Sequence, residues 1–295
     1  MDTKLLKIAV IGLPNAGKST LINKLLQAKI TITSPRPQTT RVAIKTIFVE
    51  SDTQVIFIDT PGILTQPKDT RQKAITKNAW VAIDNVNAVL ILVDTAKFLK
   101  SGDISGLQKI TKYLAEKNKQ IIVALNKIDA INHPDILQAM AKWGDQLAYD
   151  EIFPISAKNG KGVEELKNFI LAQAEPDSWI YDKDQLADIN MRFMAEEIAR
   201  EKLFYLLRDE LPFAVDIKTN SFKEDGNYYE IHQTVYTQRE AHKRIIIGKG
   251  ASLIKKVGTY AREELEKQWD VKVGLYLHVK VTKGDVSFDN ASAKY

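Results

Sequence analysis

Short apolar runs punctuate the first 170 residues of the chain. They are Lys7-Ile8-Ala9-Val10-Ile11, Thr46 to Val49, Val55 to Ile58, Val89 to Val93, Ile121 to Leu125 and Ile152 to Ile155. Each is rich in β-branched residues, too short for a helix, and shows no polar alternation, which is the pattern of a strand buried on both faces. Between several of them the apolar residues fall at helical spacing. Leu21, Ile22, Leu25 and Leu26 predict a helix from Ser19 to about Lys29, and Val163, Leu166, Phe169 and Ile170 share one face of another. Helices are also expected over 70–86 and from about Leu107 to Lys117. This alternation predicts an α/β unit: a mostly parallel sheet with helices on both faces and a ligand at the carboxyl ends of the strands. Residues 31–41 hold two prolines and four threonines without apolar periodicity and read as an ordered but mobile loop.

Beyond residue 174 the pattern changes. Glu175-Pro176-Asp177-Ser178 breaks the preceding helix. The expected division is a first domain over 1–175, a linker over 176–184 and a second domain over 185–295. The second domain reads as α+β. A long helix runs from Gln185 to about Arg208 and a strand covers Phe213 to Ile217. A polar loop holds Gly226, and a second strand covers Tyr228 to Thr237. Then come an apolar run at Arg244 to Ile247, a Gly-Lys-Gly turn, a basic helix to about Trp269 and an alternating strand from Val271 to Val281. The tyrosines near 228 are expected to pack, with base stacking as the alternative.

Composition narrows the chemistry. The chain has no cysteine, which excludes disulfides, thiolate metal sites and cysteine nucleophiles. Its four histidines show no metal-ligand spacing, and no apolar run is long enough to cross a membrane. No signal-peptide pattern precedes the first strand, so a soluble, cytoplasmic protein is expected. The formal charge of +5 is uneven. Residues 1–180 carry 23 Lys and Arg against 18 Asp and Glu, and residues 181–295 carry 19 of each. Within the neutral second half, Arg239, Lys243, Arg244, Lys249, Lys255 and Lys256 cluster against a single Glu240. A basic patch on a neutral domain points to an anionic polymer bound at one place.

The candidate chemistry sits at the ends of the predicted strands. Gly12-Leu13-Pro14-Asn15-Ala16-Gly17-Lys18-Ser19 fits the phosphate-binding pattern G-x-x-x-x-G-K-[ST] between a strand and a helix. Gly12 and Gly17 allow the backbone to wrap closely around phosphate oxygens. Lys18 is expected to reach the β- and γ-phosphates, and the Ser19 hydroxyl to ligate magnesium. Asp59, at the end of Val55 to Ile58, stands where a magnesium-holding carboxylate is needed, and the Gly62 N–H is placed to meet a γ-phosphate. Asn126-Lys127-Ile128-Asp129 follows the strand at Ile121. A carboxylate at Asp129 that accepts from the ring N–H and 2-amino group selects guanine over adenine. Asn126 would tie the loops together, and the stem of Lys127 would lie over the ring. The N–H groups of Ser156-Ala157-Lys158-Asn159-Gly160 are candidates to donate to the base carbonyl.

GLPNAGKS, the threonine-bearing loop, DTPG, NKID and SAKNG, in this order, resemble the translation-factor-like branch of the GTPase superfamily. P-N-A-G-K-S-T, P-Q-T-T-R and the two-domain layout are more narrowly similar to the Era family of ribosome-assembly GTPases. Arg244 to Gly258, with its Gly248-Lys249-Gly250-Ala251 turn, resembles the G-x-x-G loop of a type II KH domain. Ala251 replaces the second glycine of that loop. The resemblance implies a P-loop GTPase domain followed by an RNA-binding KH domain. It implies a nucleotide site of Gly12, Asn15, Ala16, Gly17, Lys18, Ser19, Thr20, Asp59, Gly62, Asn126, Lys127, Asp129, Ser156, Ala157 and Lys158. Lys18, Thr40 and Gly62 would serve hydrolysis, and Ser19, Thr40 and Asp59 would hold Mg2+. Asn15 corresponds to the asparagine associated with K+-dependent hydrolysis. Ile63 stands where many GTPases carry a water-orienting glutamine, which implies slow intrinsic turnover. The implied RNA contacts are Arg244, Gly248, Lys249, Gly250, Ala251, Lys255 and Lys256. The implied partners are GTP or GDP, the 3′ region of 16S rRNA and the small ribosomal subunit. A monomer and a peripheral association with the cytoplasmic face of the inner membrane are also expected. The alternative is a GTPase whose second domain binds a protein or the membrane surface.

Overall fold

The computed structural model describes residues 3–32, 43–60, 80–101, 104–208 and 211–282. The chain divides after Asp188 into two compact units. Thr40, Gly62, Ile63, residues 70–79 of an expected helix and the end of the chain from residue 283 lie outside the described residues.

In the first unit, strands β1 (Lys4–Gly12), β2 (Ile44–Glu50), β3 (Thr53–Asp59), β4 (Ala88–Asp94), β5 (Gln120–Asn126) and β6 (Glu151–Pro154) form one sheet in the order β2-β3-β1-β4-β5-β6. All neighbours are parallel except the β2–β3 hairpin. The helices are α1 (Lys18–Leu26), α2 (Thr95–Lys100), α3 (Ser105–Glu116), α4 (His133–Gln146) and α5 (Val163–Ala172), and residues 80–84 are also helical. Successive residues of a strand point to opposite faces. Thus Leu5, Ala9 and Ile11 of β1 enter one core with Leu107, Ile110, Leu114 and Trp143 of α3 and α4. Leu6, Ile8 and Val10 enter a second core with Leu21, Leu25, Leu166 and Ile170 of α1 and α5. The two-sided burial expected from the unbroken apolar runs is present, and it fixes the strand ends on one edge of the sheet.

Helices α2 and α4 were not foreshadowed. Each starts on a side-chain cap: Asp94 accepts from the Lys97 N–H at 3.2 Å, and Asn132 accepts from the Asp135 N–H at 2.9 Å. In α4 the fully buried positions are only Ala139 and Trp143, too few to produce a clear apolar stripe.

The stretch after α5 is laid along the first unit by hydrogen bonds. The short strand β7 (Glu175–Pro176) pairs antiparallel with β1. Gln54 donates to the Tyr181 carbonyl at 2.9 Å and accepts from the Ile180 and Tyr181 N–H groups. The Ile47 N–H donates to the Leu186 carbonyl and the Asp188 N–H to the Lys45 carbonyl, each at 2.9 Å. Lys45 pairs with Asp188 at 3.2 Å, and the Tyr181 hydroxyl donates to the same carboxylate. Residues 186–188 thereby cover the exposed edge of β2, which would otherwise present unpaired backbone groups.

The second unit contains α6 (Met191–Leu206), β8 (Val215–Asp225), β9 (Tyr228–Thr237), α7 (Glu240–Ile247), α8 (Ser252–Trp269) and β10 (Lys272–Val281). Its sheet runs β10-β9-β8, with β8–β9 antiparallel and β9–β10 parallel. Helix α6 starts at Met191 rather than Gln185, because 185–188 belong to the edge of β2 and Asn190 caps the helix through the Phe193 N–H at 2.8 Å. Strand β8 continues from Lys218 to Asp225, a stretch polar except for Phe222, where a loop was expected. It is an edge strand with one partner, bulged between Thr219 and Ser221, so its outward side chains can be polar. Tyr229 packs against Phe222 and Trp269 with ring centroids 5.6 and 5.8 Å away.

Candidate functional site

At the carboxyl edge of the first sheet, β1 turns into α1 through Gly12 to Gly17. Gly12 and Gly17 have φ of 152° and 102°, and Asn15 has φ 64°. A Cβ at Gly12 would strike the Leu92 carbonyl oxygen, and one at Gly17 would strike the Asn126 amide nitrogen. Both glycines are therefore required by backbone angle and by space. The turn leaves a cradle with the N-terminus of α1 at one side. Lys18 is buried, with its Nζ 3.4 Å from the Gly12 carbonyl oxygen. Burial holds its ammonium below the usual lysine range, and the Asp59 carboxylate partly restores it. A buried cation facing a cradle of backbone N–H groups is matched to an anion.

Asp59 is fully buried at the end of β3, and the Ser19 hydroxyl donates to its Oδ2 at 3.0 Å. A hydroxyl and a carboxylate are an all-oxygen donor set, suited to a hard divalent cation. The residues present fit magnesium.

Asn126 does what the sequence suggested. Its Nδ2 donates to the Ala16 carbonyl at 2.7 Å, and its Oδ1 accepts from the Ala157 N–H at 2.9 Å. One buried side chain thus ties three loops together. Asp129 accepts from the Ser156 hydroxyl at 2.6 Å, and the Ile128 N–H donates to the Ile155 carbonyl at 3.2 Å. The Ala157 N–H, one of the expected donors to a base, is engaged within the loop. Two residues escaped the sequence reading. Asp94 pairs with Lys127 at 2.8 Å, and the Thr95 hydroxyl donates to the Asn126 carbonyl at 2.6 Å. The available signal was a carboxylate ending a buried strand beside the NKID strand.

In the second unit, α7 ends at Gly248 and α8 begins after a 3-10 turn over Lys249–Ala251. Gly248, Gly250 and Ala251 have φ of 75°, 59° and 61°. A Cβ at Gly248 would lie 2.9 Å from the Leu253 backbone nitrogen, whereas one at Gly250 would meet nothing. Arg244, Lys249, Lys255 and Lys256 are all exposed around this turn. The structure therefore gathers the expected basic residues on one loop and the two helices it joins. Among the described residues no group of three or more His, Cys, Asp or Glu side chains could hold a metal, and no helix is long and apolar enough to cross a membrane.

Comparison with known proteins agrees with this geometry. The family model described as a 50S ribosome-binding GTPase matches residues 7–127, and the KH domain model matches residues 210–286. The GTPase Era of Caulobacter vibrioides is 38% identical over 285 residues, covering 92% of this chain and 90% of that protein. The chain belongs to the Era family of GTPases. The Era protein of Agrobacterium fabrum is also 38% identical, over 93% of this chain and 85% of its own. A variant of Aquifex aeolicus Era bound to GDP and aluminium fluoride superposes with a TM-score of 0.89 at 32% identity, covering 95% of both chains. An Era structure in complex with MgGDPNP and nucleotides 1506–1542 of 16S ribosomal RNA matches with the same score and identity, over 95% of this chain and 94% of that one. As an Era-family member the chain is a GTPase, with a P-loop domain followed by a KH domain.

Proposed function

We propose that this Era-family GTPase acts as a nucleotide-controlled switch in small-subunit assembly, engaging the single-stranded 3′ region of 16S rRNA through its KH loop. The observation that carries the reading is the exposed basic turn Arg244 to Lys256, on a chain similar along nearly its whole length to an Era bound to that RNA. Lys249, Lys255, Lys256 and Arg244 would meet phosphates, while Gly248 and Gly250 let the RNA backbone approach.

In the first unit, Gly12 to Thr20 would bind the phosphates, and Lys18 would neutralise charge on the β- and γ-oxygens. Ser19, Asp59 and Thr40 would hold Mg2+, which would supply positive charge against the negative charge that develops on the phosphates. Asp129 would accept both guanine N–H groups and Lys127 would cover the ring. With the Ala157 N–H serving Asn126, we assign the Lys158 N–H to the base carbonyl. The Gly62 N–H and Thr40 would sense the γ-phosphate and release their loops after hydrolysis. Asn15 is the candidate K+ ligand, and the protein would work as a monomer with peripheral attachment to the inner membrane. The division proposed on function is the GTPase domain over 1–175, a linker over 176–184 and the KH domain from about 185, whereas the compact units part after Asp188 because 186–188 pair with β2.

The test is RNA affinity against salt. Phosphate contacts by four or five basic residues on a single strand predict a steep fall in affinity between 50 and 200 mM salt, by about 50- to 130-fold. Replacement of Lys249 and Lys255 by Ala should flatten the slope. Salt-independent or absent RNA binding would overturn the reading in favour of a protein or membrane partner.

A further inference from the structure

Lys127 is held by a carboxylate to which the nucleotide chemistry assigns no role. Asp94 closes β4 and lies beside Asn126 in the parallel β4–β5 register. Its Oδ2 accepts from Lys127 Nζ at 2.8 Å, and its Oδ1 accepts from the Lys97 N–H as the N-cap of α2. The Lys97 ammonium is a looser neighbour, 3.9 Å away and largely in solvent. The next residue, Thr95, donates its hydroxyl to the Asn126 carbonyl, both groups being buried. The junction of β4 and α2, Asp94 and Thr95, therefore braces the base loop at two successive positions, 127 and 126. Lys127 itself has φ 67°, a backbone conformation that side chains other than glycine rarely adopt.

We propose that Asp94 is a positioning residue for guanine recognition: it anchors the Lys127 ammonium so that the methylene stem is already fixed where the base will lie. The proposal rests on the reading of the NKID loop as the base site. A lysine stem has several rotatable bonds, and its ordering would otherwise oppose nucleotide binding. Anchoring through Asp94 removes that opposition before the nucleotide arrives. The contact involves neither phosphate nor metal, so its effect falls equally on GTP and GDP.

The test is Asp94→Asn, which keeps an oxygen to cap α2 and removes the charge that holds Lys127. Dissociation constants for GDP and GDPNP should both rise about three- to tenfold, through faster release, with kcat at saturating GTP unchanged. In a Lys127→Ala background the same substitution should add nothing. An unchanged affinity, a fall in kcat, or an equal loss in the Lys127→Ala background would overturn the proposal, the last two by showing a merely structural role. The base-site reading is tested separately with Asp129→Asn. An amide there can donate to the 2-oxo group of xanthine, and preference should move from guanine to xanthine nucleotides. Unchanged guanine preference would overturn the base-site reading. A shift in Asp129→Asn with no effect in Asp94→Asn would overturn only the role of Asp94.

Discussion

Ala251 occupies the second glycine position of the G-x-x-G loop and adopts φ 61° and ψ 23°. That left-handed conformation costs a residue with a Cβ about 1–2 kcal/mol. Glycine removes this strain, but its unfolded chain has more freedom to lose, worth about 0.4–1 kcal/mol in the opposite direction. Ala251→Gly should therefore stabilise the second unit by about 0.5–1 kcal/mol. For a unit of about 100 residues this corresponds to an increase in Tm of about 3–6 °C. The assay is a calorimetric scan of the full chain, supported by a denaturant midpoint that rises at unchanged m. Ala251→Val should move both the other way, because a β-branched side chain tolerates positive φ poorly. The same loop would meet the RNA backbone, so loss of the methyl group should also tighten single-stranded RNA binding. An unchanged or lowered transition in Ala251→Gly would refute the reasoning, because the strain it relieves would not exist in solution.

Gly17→Ala combines φ 102° with a clash against the Asn126 amide, and should weaken GTP and GDP binding by about a hundredfold or more, measured by fluorescent-nucleotide titration; affinity within threefold of the parent would contradict the cradle. Glu196 is buried, and burial pushes its carboxyl above the usual range, while the Thr219 N–H at 2.7 Å and the Lys218 charge pull it back. Because its folded pKa exceeds the unfolded value, its contribution is full below the unfolded pKa and is lost as pH rises through the folded one. Glu196→Gln keeps the acceptor and should gain stability relative to the parent as pH rises above about 4; a difference constant with pH in denaturant titrations would exclude this. Turnover of GTP should be slow in sodium buffer and rise in potassium if Asn15 ligates K+; equal single-turnover rates in the two salts would remove that role.

The elements carried by local pattern were the ones legible in the sequence. Gly12 to Ser19 announces itself, because strand, tight turn and helix are adjacent in the chain. Asn126 was legible because its place after a buried strand is part of the same local signal. The tail was not. Gln54 grips Tyr181 127 positions further along, and Lys45 meets Asp188 143 positions further along, so no short window of sequence contains either contact. Gln185 to Asp188 reads as the start of a helix by composition, and pairing with β2 overrides that tendency. The polar half of β8 was hidden for a related reason: an edge strand open to water on one side does not show a continuous apolar run. Asp94 lay in plain view at the end of Val89 to Val93, but its meaning depends on Lys127, brought next to it only by the β4–β5 pairing.

Coupling between nucleotide state and RNA binding is read by fluorescence anisotropy of a single-stranded oligonucleotide from the 3′ end of 16S rRNA, with a scrambled control. Each would be titrated with the full chain in GDP, in GDPNP and without nucleotide. Binding to the true sequence should be tighter in GDPNP than in GDP, with little retention of the scrambled strand. Equal, weak binding in all three states would contradict this coupling, leaving a GTPase whose second unit serves another partner.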